Sequence, residues 1–217
     1  MRMGLARPNT PSWQSDDGRI LLYQADSRKL LTALPDTSID CIFTDPPYGH
    51  NNNDDDLIAR REAALGRGKP GPPRPILNDD EHSAGALIQC LFKESARLLK
   101  PGCCCCCCCC GGGGPDPQFA RWSLWLDEHL RFKQMVIWDK GPMGLGWHYR
   151  RSYETILIGQ KRGCRCRWFD QTKRVENIIR PNSGIRKIIP RAHQHPTEKP
   201  VALAQYFLRL HSTGDDV

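Results

Sequence analysis

A nearly all-apolar run, IDCIFTD at residues 39–45, constrains the fold of this chain more strongly than any other segment. Apolar residues at successive positions, rather than at alternate ones, are typical of a strand that is covered on both faces. Such strands occur in sheets that carry helices on both sides. We therefore expect residues 39–45 to form an inner strand of an α/β sheet.

The neighbouring sequence alternates between strand and helix patterns. RILLYQAD, residues 19–26, predicts a strand that ends at Asp26, and SRKLLTAL after it predicts a short helix with Ser27 as its N-cap. Further along, we expect helices over residues 80–102 and 115–130 and strands over residues 134–140 and 153–161. This order predicts a doubly wound α/β sheet, in which ligands bind at the carboxyl ends of the strands. Asp26 and Asp45 fall at such ends.

Eight consecutive cysteines, Cys103–Cys110, stand where the alternation requires a strand. Cysteine behaves as a small buried hydrophobe, so the run predicts a buried central strand. Zinc binding and a low-complexity expansion that damages the fold are the alternatives. The zinc alternative is weaker, because structural zinc sites take paired ligands from separated loops. We therefore predict no metal ligands. The four other cysteines are an ordinary number for a reducing compartment.

The length of 217 residues suits one core, and we expect one folded domain over residues 19–217 after a flexible lead-in at residues 1–18. The long irregular region at residues 49–78 predicts a mobile or functional loop. No window approaches the roughly 20 apolar residues of a membrane-spanning helix. The lead-in also lacks an apolar stretch of signal-peptide length, so we expect a cytoplasmic protein with no membrane partner.

Positive charge is concentrated in one segment. Between Arg131 and Arg191, 15 Lys and Arg stand against four acids, whereas the formal net charge of the whole chain is +7. Such asymmetry favours a polyanionic partner, because each neutralised phosphate releases counterions; a solvated basic face is the alternative. Within a predicted target-recognition segment at residues 161–194, the candidates for DNA contacts are Arg165, Arg167, Lys173 and Arg174.

TDPPY, residues 44–48, predicts a rigid corner. Proline fixes its own φ and forces the preceding residue into extended geometry. Pro46 therefore restricts the backbone of Asp45, and Pro47 restricts the backbone of Pro46. A planar ring with an amino group would suit this corner, which offers a carboxylate, the Pro46 carbonyl in a fixed direction and the face of Tyr48. Two acceptors that bind the two hydrogens of the amine would make its nitrogen lone pair available for attack. This arrangement indicates alkyl transfer to nitrogen. Asp45 as a turn cap and Tyr48 as plain packing are the alternatives.

TDPPYG, preceded by LLYQADSRKLLTALPDTSIDCIF and followed far downstream by HPTEKP at His195–Pro200, resembles the amino-methyltransferases of DNA. The order resembles the permuted subclass, whose catalytic motif lies near the N-terminus. Two motifs in the family's order are more specific than either alone. The resemblance covers residues 19–217 and implies a Rossmann-like sheet of an S-adenosylmethionine-dependent methyltransferase, with double-stranded DNA as partner.

The resemblance also implies residue roles. A flipped adenine would be held by Asp45, Pro46, Pro47 and Tyr48. The cofactor's adenosine would lie near Asp26, and its methionine end near His195, Thr197 and Lys199. Thr197 also predicts an N-cap, with Pro200 in the first turn of the following helix. The amine of cytosine stays an alternative acceptor, whereas the Pro-Cys pair of ring-carbon methylation is absent from the sequence.

The family continues after a turn like GDDV, residues 214–217, into a strand and a glycine-rich cofactor loop. The sequence ends at Val217, so we expect a sheet that is incomplete at the C-terminus. The alternative to an enzyme is a protein without catalytic activity, an inactive remnant that still binds DNA. A restriction endonuclease partner is neither predicted nor excluded.

Overall fold

A computed structural model describes residues 10–51, 66, 75–109, 118–142, 152–183, 185, 198–214 and 216. The helices are α1 Ser27–Ala33, α2 Glu81–Leu98, α3 Phe119–His129 and α4 Val201–His211. The strands are β1 Trp13–Gln14, β2 Leu21–Leu22, β3 Ile39–Thr44, β4 Leu99–Cys109, β5 Arg131–Asp139, β6 Tyr153–Gln160 and β7 Ile178–Ile179. The predicted α/β class is confirmed. Most of the predicted loop at 49–78 lies outside the described residues.

The main sheet has five strands in the order β3-β4-β6-β5-β7. β3 is parallel to β4, and β7 is parallel to β5, whereas β6 is antiparallel to both of its neighbours. The sheet is therefore mixed. β3, β4, β5 and β7 end at one edge, which we call the carboxyl edge, and β6 begins there. The opposite end, where β6 ends, is the amino edge.

Cys103 to Cys109 of the cysteine run belong to the inner strand β4, as predicted. Cys103 to Cys107 are at most 1% exposed. Alternate residues face opposite sides of the sheet: Cys105 packs in a cluster with Phe92 of α2 and Trp122 of α3, and Cys106 packs in another with Phe207 of α4. The two faces of the sheet are thus covered by different helices. None of the helices in the described part of the chain is long and apolar enough to cross a membrane.

The predicted strand at residues 19–26 is mostly wrong. Only Leu21–Leu22 is extended in a ladder, and it pairs antiparallel with Trp13–Gln14 in a separate two-stranded sheet, so part of the predicted lead-in is ordered. Leu22 is 55% exposed, so little apolar burial supports a longer strand. The N-cap of α1 is Asp26 rather than Ser27, because the Asp26 side chain accepts a hydrogen bond from the Arg28 amide.

Two predicted helix boundaries also differ. α2 ends at Leu98, before Pro101 and Gly102, because the chain begins to pair with β3 at Leu99. Pro101 and Gly102 therefore lie in β4, where the register shifts from Ile39 opposite Leu99 to Cys41 opposite Cys104, an irregularity that accommodates extra residues. At α4, Pro200 occupies the N-cap position instead of the first turn, and Thr197 lies outside the described residues.

Gly102 lies where the backbone of residues 165–167, after β6, passes close to β4, and this close approach requires a residue without a side chain. Its φ is +80°, and a Cβ added there would overlap the Arg165 carbonyl oxygen. The Arg167 amide also donates to the Gly102 carbonyl at 2.9 Å. The Gly102 backbone is held by this hydrogen bond and by its place in β4, so it cannot shift cheaply to relieve the overlap.

We predict that Gly102→Ala lowers the free energy of unfolding by about 2 kcal/mol or more, because it combines left-handed strain with a backbone clash. Gly163→Ala is the matched control, since Gly163 has a φ of +88° with nothing within 4 Å of an added Cβ. That variant is expected to lose only about 1 kcal/mol. Urea unfolding measures both, and equal losses would contradict the close approach.

Candidate active site

Charged residues from distant parts of the sequence meet at the carboxyl edge of the sheet. Asp45 follows the last residue of β3, Lys140 follows the last residue of β5, and Glu154 is the second residue of β6. Lys199 stands just before α4. Because β6 is antiparallel to β5, its first residues lie beside the last residues of β5, with Trp138 opposite Glu154.

These four side chains form a chain of alternating charges. The Lys199 Nζ lies 3.1 Å from Asp45 Oδ2 and 3.6 Å from Glu154 Oε2. The Lys140 Nζ lies 2.7 Å from Glu154 Oε1. The side chains of Lys140, Glu154 and Lys199 are only 11–13% exposed, so solvent screens their attraction weakly. Asp45, at 30%, is the accessible end of this charge chain.

Tyr48 holds the second oxygen of Asp45. Its hydroxyl donates to Asp45 Oδ1 at 2.6 Å, and the Lys199 Nζ lies 5.1 Å from the centroid of its ring. The ring itself is 7% exposed and packs edge-on against Trp122 with centroids 6.1 Å apart. Tyr48 thus positions the carboxylate and also packs in the core, while its predicted stacking on a base stays a prediction.

The backbone of the corner is anchored by Asp79, which lies just before α2. Asp79 is 2% exposed, and its Oδ1 accepts hydrogen bonds from the amides of Tyr48 at 2.9 Å and Gly49 at 3.0 Å. Its neighbour Asp80 caps α2 by accepting from the Ser83 amide. Sequence reasoning missed the role of Asp79. One signal was available, because only one of the two successive acids before α2 is needed as the helix cap, so the other acid can have a different function.

We predict that Asp79→Ala lowers the free energy of unfolding by about 2 kcal/mol, because two amides at the corner lose a charged acceptor. Asp80→Ala, one residue away, removes the helix cap and is expected to lose about 1 kcal/mol. Amide hydrogen exchange separates the two variants further. Faster exchange at Tyr48 and Gly49 is expected only for Asp79→Ala, and unchanged protection there would contradict the anchoring role.

A cavity of about 770 Å³ opens beside the corner. Its wall contains the polar side chains of Asp26 and Asp45 together with Pro46 and Pro47. Apolar side chains complete the wall, among them Leu31, Ile42, Phe43, Leu87 and Leu91. The structure thus brings Asp26 and Asp45 to one cavity. The predicted position of Asp26 at the end of a strand of the main sheet is wrong, because β2 ends at Leu22 in a separate sheet and Asp26 instead caps α1. A mostly apolar wall with a few directed acceptors suits a planar heterocycle with amino groups.

Asp26 is held in its charged form at this cavity. The Arg28 side chain donates two hydrogen bonds to the carboxylate, at 3.0 and 2.8 Å, and the Arg28 amide donates another. These bonds, the side-chain bonds most, hold the pKa of Asp26 below its usual value. Asp26 therefore presents a fixed anionic acceptor at the N-terminus of α1.

The predicted DNA contacts lie in two different environments. Arg165, Lys173 and Arg174 are exposed. Arg167 instead donates to Asp40 at 2.7 Å and to Asp216 at 3.0 Å, and its neighbours, Cys103 first, raise its pKa. Arg165 and Arg167 follow β6, so they lie toward the amino edge, and the structure does not bring them together with Asp45.

Of the residues predicted around the methionine end of the cofactor, only Lys199 belongs to the described part of the chain; His195 and Thr197 lie outside it. Sequence reasoning also missed Lys140 and Glu154. One signal was available, because Glu154 interrupts an otherwise apolar strand pattern at its second position. A charge at such a place is usually paired.

A mixed sheet with a cavity and a carboxylate at its carboxyl edge is typical of α/β enzymes, which bind their ligands at the strand ends. The family model for DNA methylase, N6_N4_Mtase, matches residues 39–217, and the chain belongs to this family. No curated protein has a sequence that matches the chain significantly.

The solved structures of similar fold include proteins that are named as DNA methyltransferases. The cytosine-N4-specific PvuII DNA methyltransferase shares 15% identity at a TM-score of 0.63, over 98% of this chain and 76% of that one. TTHA0409 of Thermus thermophilus, assigned as a DNA modification methylase, shares 19% identity at a TM-score of 0.55, over 88% and 75%. Its complex with S-adenosyl-L-methionine gives a TM-score of 0.51 over the same shares, with 19% identity. At these identities the likeness shows the fold.

Proposed function

We propose that this chain transfers a methyl group from S-adenosylmethionine to the exocyclic amine of an adenine flipped out of double-stranded DNA. One observation carries the proposal: Asp45, Pro46 and Pro47 line the same cavity as Asp26, at the carboxyl edge of the sheet. Membership of the DNA methylase family supports the reaction class. The base must leave the duplex, because its amine cannot meet a bulky sulfonium inside the stack.

The cavity fits the cofactor's adenosine. Asp26 offers a fixed anionic acceptor, and the apolar side chains of Leu31 and Phe43 offer faces for a ring. S-adenosylmethionine supplies an electrophilic methyl group on its sulfonium when bound. We place its methionine end near His195, Thr197 and Lys199.

Asp45 and Pro46 activate the acceptor in this proposal. Asp45 accepts one hydrogen of the amine and the Pro46 carbonyl accepts the other, which favours a pyramidal nitrogen with an available lone pair. Tyr48 and Lys199 already contact the two oxygens of Asp45. An ionised carboxylate has about four lone-pair sites, so Asp45 can accept a further hydrogen bond without losing these two. Tyr48 and Lys199 thus fix the direction in which Asp45 accepts.

Exposed basic residues supply the contacts with DNA. We place Lys173, Arg174 and Arg165 on phosphates, where their charge neutralises the duplex backbone. Arg167 shares its charge with Asp40 and Asp216, so its contact with DNA competes with two carboxylates.

The experiment incubates the chain with duplex DNA and S-adenosylmethionine that carries a tritiated methyl group, and then digests the DNA to nucleosides. Label in N6-methyladenine is the expected result. Label in N4-methylcytosine would replace adenine by the amine of cytosine as the acceptor. No label, together with no saturable heat of S-adenosylmethionine binding in isothermal titration, would favour the inactive DNA-binding remnant.

A further inference from the structure

Two cysteines and one histidine from three separate elements converge near the amino edge, away from the candidate active site. Cys104 belongs to β4, Cys166 lies in the segment after β6, and His211 is the last residue of α4. One ligand atom from each lies within 4.8 Å of the other two. We propose that Cys104, Cys166 and His211 bind one zinc ion.

The donor set fits zinc chemically. Zinc prefers thiolate sulfur and imidazole nitrogen in a tetrahedral arrangement, and three protein ligands leave the fourth position for water. Binding releases one proton from each thiol to solvent, and two thiolates with Zn²⁺ carry no net charge. The ligands come from separated elements, which the cysteine run alone does not supply.

The distance between the two sulfurs favours a metal over a disulfide. Cys104 Sγ and Cys166 Sγ are 3.3 Å apart. Two sulfurs at about 2.3 Å from a tetrahedral zinc ion are about 3.8 Å apart, so the pair must widen by about 0.5 Å. A disulfide would require the sulfurs to approach to about 2.05 Å, which is a larger displacement.

His211 is positioned as a ligand rather than as a surface residue. It is 4% exposed, and its Nδ1 is buried without a hydrogen-bond partner among the described residues. The ring of Trp168 packs against it edge-on, with centroids 5.3 Å apart, and so restricts its orientation. A buried imidazole nitrogen without a partner is costly, and coordination through Nδ1 would remove that cost.

Such an ion would connect the segment that contains Cys166 and the end of α4 to strand β4. Arg165 and Arg167 flank Cys166, and Phe169 donates its amide to the Leu210 carbonyl at 3.0 Å. The zinc site would therefore link these elements at a place separate from Asp45.

The test titrates the reduced, metal-stripped full chain with Co²⁺, which gives visible absorption bands in a tetrahedral thiolate site, and then displaces it with Zn²⁺. One Co²⁺ per chain is expected. Cys166→Ser and His211→Gln are each expected to weaken binding roughly 100-fold. Cys164→Ser, an exposed cysteine two residues away, is the matched control and is expected to bind as the parent chain does.

Bands of equal strength in the parent chain, Cys166→Ser and His211→Gln would overturn the proposal, because the metal would then sit on the cysteine run. No bands in the parent chain would overturn it too. Circular dichroism checks that each variant folds. If His211→Gln fails to fold, Cys166→Ser decides alone, since Cys166 is only partly buried.

Discussion

Asp45→Ala is expected to lower methyl transfer to duplex DNA by about 100-fold or more at saturating S-adenosylmethionine. The carboxylate is the acceptor that prepares the amine for attack, and alanine removes it without filling the space. Lys199 and Tyr48 lose their common partner as well. The rate of tritium incorporation into DNA measures the loss.

Asp26→Ala is the matched control, because Asp26 lines the same cavity but faces the proposed adenosine. This variant is expected to weaken S-adenosylmethionine binding roughly tenfold and to recover its rate when the cofactor is raised. A loss that persists at saturation therefore belongs to Asp45 alone. If Asp45→Ala transfers methyl groups as fast as the parent chain, Asp45 has no part in the reaction.

Local patterns predicted the corner and the elements beside it. The apolar run of β3, the periodic pattern of α2 and the hydrophobic character of the cysteine run each depend on residues that are close in sequence. The stiffness of TDPPY follows from proline geometry alone. Such features need no knowledge of tertiary contacts, so sequence was sufficient for them.

The rest of the site depends on the pairing of β6. Glu154 meets Lys199 and Lys140 only because β6 runs antiparallel between β4 and β5. Nothing in the local pattern of YETILIGQ fixes its direction or its neighbours. Arg167 is a similar case, since its partners Asp40 and Asp216 are 127 and 49 residues away in sequence. The prediction that Arg167 contacts DNA was based on its charge alone, whereas in the structure Arg167 forms ion pairs with two carboxylates.

The largest loss of stability is expected for Glu154→Gln, at about 3 kcal/mol. Glu154 is 8% exposed and lies between the ammonium groups of Lys140 and Lys199. Without its charge, Lys140 has no other ion-pair partner in the described part of the chain, whereas Lys199 keeps its pair with Asp45. Urea unfolding measures the loss, and Lys140→Met in the same chain is expected to restore part of it, because one of the two cations is then gone.

Glu176→Gln is the matched control for Glu154→Gln, because it removes the same charge from an exposed pair. Glu176 and Arg180 lie 3.1 Å apart with side chains 62% and 58% exposed. Solvent screens such a pair, so its loss is expected to change the free energy of unfolding by less than about 0.5 kcal/mol. Equal losses in the two variants would show that burial does not strengthen the chain of charges at the carboxyl edge. A selective loss at Glu154 would instead show that burial strengthens the ion pairs of the charge chain that ends at Asp45.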